Sequence, residues 1–229
     1  LFVEPGSPAA SAGLERGMWI SSINGKALTA SSGKQLTEGE ALNVETQDIE
    51  FDDVESKYVW SAGKAFTLQP STAIADRALM LDTIYNVRSN KVGYILCNNL
   101  NGSALADEFQ TVALDFLAEN VTDIVLDMRY CNGGSIENAA EIAAIFVPAS
   151  LTGTPFATLN GKEEEVYGYP APLTNLSDKK LYIITGNDTR GMAELFIASV
   201  NASRGMYEVL TICERTAGSN LMTREFESP

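Results

Sequence analysis

Nucleophilic catalysis needs a hydroxyl or thiol beside a base, and this chain has no histidine. Every Ser-His or Cys-His pair within it is therefore excluded. Lysine can act as a base once burial lowers its pKa, but the last lysine is Lys180. Beyond it only arginines carry positive charge, and arginine stays protonated. Cys97, Cys131 and Cys213 show no C-x-x-C spacing and read as buried thiols; no metal site or cofactor is expected. Two stretches hold the remaining candidates. In the first, Asp127 and Arg129 read as a structural ion pair, Cys131 is a thiol without a base, and Gly133-Gly134 is a tight strand-to-helix turn. In the second, Thr189 reads as a helix cap. Gly191 is acceptable at an N-cap, with Glu194 three residues later able to reach back to its N–H. Ser219, after Gly218, reads as a turn residue.

These residues must be positioned by the elements around them. Val92 to Cys97 is a short apolar strand. Ser103 is expected to cap a helix whose stripe is Leu105, Phe109, Val112, Ala113, Phe116 and Leu117. Ile124-Val125-Leu126 reads as a central strand buried on both faces, followed by a helix from Ile136 to Val147 stopped by Pro148. Lys162 to Glu165 is a charged loop, Leu181 to Ile184 a buried strand, Met192 to Ser203 a helix, and Tyr207 to Ile212 a last strand. This alternation argues an α/β domain. The beginning differs. Ser7 and Pro8 start a short apolar helix through Leu14, Trp19 to Ile23 is a strand, and Asn24-Gly25 is its turn. Leu42 to Phe51 alternates as a half-buried strand, with strand pieces at Val59-Trp60 and Phe66 to Leu68 and a hinge at Pro70-Ser71-Thr72. The opening Leu1-Phe2-Val3 reads as mid-strand, so a native N-terminus is expected upstream.

Composition narrows the function classes. The chain has 229 residues, 45% hydrophobic and 20% charged, which suits one large globular domain or two modest ones. A net charge of −14 argues against a nucleic-acid partner, because phosphate contacts need a basic patch. No apolar run approaches the roughly 20 residues that span a bilayer. Asn-x-Ser/Thr triplets begin at Asn101, Asn120, Asn175, Asn187 and Asn201 and matter only for a secreted eukaryotic protein.

Several segments resemble known families. Val3 to Asn24-Gly25, through Pro5-Gly6-Ser7-Pro8-Ala9-Ala10 and Gly13-Leu14, is similar to the second half of a bacterial PDZ domain, with Met18 where an Asp is usual. The remainder resembles the C-terminal processing, or tail-specific, serine peptidases. Val125 to Gly134 matches their LDLR-x-N-x-GG signature, with Cys131 in the Asn slot. Leu181 to Thr185 matches the strand before the nucleophile, Asp188 to Glu194 their T-A-S-A-S-E segment, and Cys213 to Ser219 their G-E-x-T-x-G-K segment.

The resemblance implies a partial, mostly-β PDZ domain over residues 1–70 and a crotonase/Clp-protease-like α/β core over 71–229. It implies endopeptidase chemistry by a Ser-Lys dyad, without metal or organic cofactor, on polypeptide C-termini or unfolded segments. It also implies a place outside the cytoplasm, in the periplasm or cell envelope. Aligned on Glu194, the nucleophile position is Gly191; aligned on Thr216 and Gly218, the lysine position is Ser219. Oxyanion donors would be the N–H groups of Gly133, Gly134 and Met192. With both dyad positions vacated, the expectation is a non-catalytic peptide-binding homologue, a pseudoenzyme. Two alternatives stay open: an active serine-type endopeptidase with an unrecognised nucleophile or base, and a structural or oligomeric envelope module.

Overall fold

Glycines and turn residues divide the chain into its elements. The computed structural model describes residues 3–71, 73, 77–160 and 164–218. The backbone separates into two units, Leu1–Asp76 and Arg77–Pro229.

In the first unit the Ser7 hydroxyl accepts the Ala10 N–H at 3.1 Å and starts α1 (Pro8–Ser11), with Pro8 in the first turn. The helix stops short of the expected Leu14, because Gly13 turns the chain at φ +91°. β1 (Trp19–Ile23) and β2 (Lys26–Ala27) form a hairpin over Asn24 and Gly25, both at positive φ as a two-residue turn of this hand requires. A 3-10 helix covers Ser32–Thr37. β3 (Leu42–Asp52) and β4 (Lys57–Leu68) are long, and β4 joins the two separate strand pieces expected there. The sheet order is β2-β1-β3-β4, all antiparallel, over a small core of Leu14, Ile23, Leu42, Val44 and Leu68.

The second unit begins with β5 (Leu79–Val87), which sequence reading missed, paired antiparallel to β6 (Asn90–Cys97). Then follow α2 (Leu105–Ala118), β7 (Asp123–Asp127), α3 (Ile136–Phe146), the hairpin β8 (Pro155–Asn160) and β9 (Glu164–Gly168), β10 (Lys180–Thr185), α4 (Met192–Ala202) and β11 (Val209–Cys213). The order is β11-β10-β7-β6-β5. β6, β7, β10 and β11 are parallel, and helices supply the crossovers. In register, Ile95, Leu126 and Ile183 form one row and Gly93, Ile124 and Leu181 the next, and all the hydrophobic members are buried. The missing side chain at Gly93 is what seats α2: a Cβ there would lie 2.4 Å from the Phe116 ring.

Several local expectations need correction. β7 is central, but it is not buried equally on both faces: Ile124 and Leu126 are buried, whereas Val125 on the other face is half-buried, between Tyr94 and Tyr182. Ala104, not Ser103, is the N-cap of α2, with no side-chain cap bond, and Leu117 is exposed. Glu164 and Glu165 belong to β9 rather than to a loop, while Lys162 and Glu163 lie outside the described residues, as do Leu1, Phe2 and Thr72. Cys97 and Cys131 are buried as expected, but Cys213 is exposed, because β11 is the last strand of the sheet.

Candidate functional site

The loops that leave the carboxyl ends of β6, β7 and β10 interlock, at the edge where parallel sheets place their sites. Asn132 N–H donates to the Asn98 carbonyl at 3.1 Å, Leu100 N–H to Gly133 at 2.8 Å, and Ser135 N–H to Leu100 at 3.0 Å. Asn138, in the first turn of α3, fixes the same loop through its side-chain amide, which donates to the Leu100 and Gly102 carbonyls at 2.9 Å each. Nothing in the sequence marked Asn138; its role follows from how α3 meets the β6 loop. From the β10 side, Arg190 N–H donates to the Cys131 carbonyl at 3.0 Å.

Gly133 and Gly134 have different reasons to be glycine. Both sit at positive φ, +124° and +135°. A Cβ on Gly134 would lie 2.3 Å from Leu100 Cβ and 2.4 Å from its backbone carbon, so Gly134 is required by close packing. A Cβ on Gly133 would meet nothing within 4 Å. Gly133 faces Gly191: an added Cβ at 191 would lie 3.6 Å from the Gly133 Cα, an ordinary contact. The structure therefore brings Gly191 and Gly133 together.

Gly191 is the N-cap of α4, at φ +63° and ψ −124°, a conformation costly for any residue with a side chain. Its N–H donates to Glu194 Oε2 at 3.0 Å, the return half of a capping box, and glycine has no side chain to supply the other half. The second carboxylate oxygen, Oε1, accepts the Gly218 N–H at 2.6 Å. One carboxylate thus holds the start of α4 and the segment after β11 side by side. Ala217 N–H reinforces this by donating to the Thr189 carbonyl at 3.0 Å. Ser219 itself lies outside the described residues. Met192, the first residue of α4, carries one of the N–H groups that a helix start leaves without an internal acceptor.

The other candidates are committed to structure. Thr189 is not a helix cap. It is fully buried; its hydroxyl donates to the Met128 carbonyl at 2.8 Å and accepts the Gly186 N–H at 3.0 Å, tying the β10 loop to the β7 loop. Cys131 is fully buried; the neighbouring Cys97 thiol and then burial push its pKa well above the ordinary thiol value, so it stays protonated. Asp127 is fully buried and takes Arg129 Nη2 at 2.7 Å and Nε at 3.0 Å, with Tyr94 Oη donating at 2.6 Å. Burial, the largest single influence, raises the Asp127 pKa. The hydrogen bonds from Arg129 and Tyr94, with the guanidinium charge, outweigh it and leave the carboxyl below its ordinary value. This is the structural ion pair the sequence suggests. Arg190 bonds Asp188 at 3.2 Å in solvent. Among the described residues, the Thr189 hydroxyl, the Cys131 thiol and the Arg190 guanidinium are therefore all occupied or protonated, and a Cβ at 191 would meet backbone alone, the Gly133 Cα.

This fold belongs to a known protein family. The sequence pattern of Peptidase family S41 matches residues 91–229, and the chain belongs to that family. Among solved structures it is similar to an S41 protease of Bacteroides fragilis NCTC 9343, with 27% identity and a TM-score of 0.83. That match covers 100% of this chain and 61% of the other. It also shares its fold with the photosystem II D1 C-terminal processing protease, at 17% identity and TM-score 0.54, over 93% of this chain and 55% of that one. A further fold match is mature CPAF complexed with lactacystin, at 10% identity and TM-score 0.50, over 96% of this chain and 67% of that one. This chain thus spans less than two thirds of the length of the first two. No curated protein sequence matches it. Among the described residues, no helix is long and apolar enough to cross a membrane, and no group of His, Cys, Asp and Glu could hold a metal ion.

Proposed function

We propose that this chain is a non-catalytic, polypeptide-binding member of the S41 serine peptidases. In this reading, residues 1–70 form a PDZ-like domain ahead of a crotonase/Clp-protease-like core, 71–229. The partners are polypeptide C-termini or unfolded segments, met outside the cytoplasm in the cell envelope. The observation that carries the reading is Gly191. It holds the strained turn at a helix start, where a nucleophile would be presented to substrate, yet offers no side chain. Room for one exists, since a Cβ would touch only Gly133. The Ser219 position lacks the ammonium a Ser-Lys pair needs. The Gly134 and Met192 N–H groups would supply donors suited to a carbonyl or carboxylate oxygen, while the Gly133 N–H turns to the Cys131 thiol.

The test is incubation of the purified protein with a fluorophosphonate probe and with a denatured protein substrate. Neither labelling nor cleavage is expected, while the denatured protein is retained. The Gly191→Ser/Ser219→Lys double variant should acquire labelling. Cleavage by the unaltered chain that vanishes in Ser219→Ala or Thr189→Val would overturn the reading in favour of an active peptidase. Failure to retain any unfolded polypeptide would overturn it in favour of a structural envelope module.

A further inference from the structure

The first unit carries an apolar surface that the chemistry above does not use. Register pairs Ile49 with Trp60 and Phe51 with Tyr58, and Trp19 stands opposite Gln47 in the adjoining row. Because side chains alternate along a strand, Trp19, Ile49, Phe51, Tyr58 and Trp60 share one face. All five are exposed, from 37% for Ile49 to 67% for Tyr58. Their rings pack edge to face, Trp19 on Trp60 at 5.5 Å and Phe51 on Tyr58 at 5.2 Å. Single exposed apolar residues need no explanation, but a contiguous row of this kind marks an interaction surface.

Two further observations say what the surface fits. β4 is the outer strand of its sheet and, among the described residues, pairs with β3 alone. Its outward backbone donors and acceptors are a template for one more strand. The opposite face and the tip of the same hairpin are acidic: Asp48, Glu50, Asp52, Asp53 and Glu55 outnumber Lys57, which is already ion-paired with Glu55, and Lys64. An added strand would therefore meet aromatic rings on one side and carboxylates on the other. We propose that the β4 edge binds an extended polypeptide segment that alternates apolar and basic side chains. Its apolar residues would lie on Tyr58 and Trp60, and its basic residues would reach over Val59 and Ser61 toward Glu50 and Asp48, respectively. The aromatic rings alone would also suit a bilayer surface, but the carboxylates oppose anionic lipid, so the peptide is favoured. This surface belongs to the first unit and Gly191 to the second, and the proposal does not depend on whether the Gly191 site cuts.

The two tryptophans of the chain, Trp19 and Trp60, both stand on this face, so intrinsic fluorescence reports on it directly. The probe is a peptide of about ten residues alternating lysine and valine, blocked at both ends so that no free carboxylate takes part. A saturable shift of tryptophan emission is expected, weakening roughly fivefold between low and moderately high salt. Trp60→Gln and Asp48→Lys/Glu50→Lys should each weaken binding by about tenfold. On the unaltered chain, a copy N-methylated at alternate residues and a glutamate-valine peptide should not bind. The proposal is overturned if the lysine-valine peptide gives no saturable shift, if the N-methylated or glutamate copy binds equally well, or if phosphatidylserine vesicles shift the emission and the peptide does not. The last three arms use the unaltered chain, so misfolding of a variant cannot decide the outcome. None of them reads hydrolysis.

Discussion

Gly134 and Gly191 show that glycine at positive φ can mean two different things. At Gly134 an added methyl would collide with the Leu100 backbone, which cannot yield. At Gly191 it would make an ordinary contact, so only the backbone conformation resists it. Gly191→Ala should therefore cost about 1–2 kcal/mol in urea unfolding, and Gly134→Ala about 3 kcal/mol or more. Equal losses would contradict this assignment. Asp127 gives a second residue-level expectation. Its native carboxyl ionises more readily than in the unfolded chain, so it stabilises the fold at neutral pH; that contribution fades as pH falls below the ordinary value of 3.8. Asp127→Asn should flatten the dependence of unfolding free energy on pH in that acid range. Arg129→Ala removes the counter-charge of Asp127, whose carboxylate keeps the Tyr94 hydroxyl and the residue-129 N–H, and should cost about 2–3 kcal/mol at pH 7. Asp127→Asn should cost less, because the Arg129 side chain is 44% exposed and can turn to water.

At the scale of elements, Glu194 joins what α4 and the chain after β11 would otherwise leave apart. Its two oxygens hold Gly191 and Gly218, so the start of α4 and the segment after β11 are kept adjacent. Glu194→Ala removes both bonds and a helix-start charge, at a cost of about 1–3 kcal/mol. Hydrogen exchange should then quicken at Ala217 and Gly218 while β7 and β10 stay protected. Uniform acceleration across the second unit would mean that Glu194 acts on global stability rather than on this junction.

At the scale of the whole chain, the two units hold separate cores that share no residue. Among the described residues, the first has five buried hydrophobic residues, and the second has a cluster spanning five strands and three helices. A small core stabilises weakly, so the first unit should melt first. Both tryptophans lie in the first unit and all the longer helices in the second. Tryptophan fluorescence should therefore change at a lower temperature than far-ultraviolet helix signal. A single coincident transition would show that the units unfold as one.

Much of this was legible in one dimension. Apolar runs and helical stripes mark β6, β7, β10, α2, α3 and α4, because burying one face demands that spacing. Ser7 with Pro8, Asn24 with Gly25, and the reach of Glu194 back to Gly191 are local interactions between residues close in sequence, so spacing alone reveals them. That position 191 carries no hydroxyl is likewise a matter of residue identity. β5 escaped because Leu79 to Val87 mixes exposed and half-buried positions and carries little period-2 contrast. Contacts between distant loops were decided only in three dimensions. They turn Thr189 from an expected cap into a buried tie to Met128, separate the packed Gly134 from the open Gly133, and extend the Glu194 carboxylate to Gly218. They also gather Trp19, Phe51, Tyr58 and Trp60 onto one face of a hairpin. A sequence fixes which side chains exist and their local rhythm, whereas strand register and loop crossing choose which of them meet.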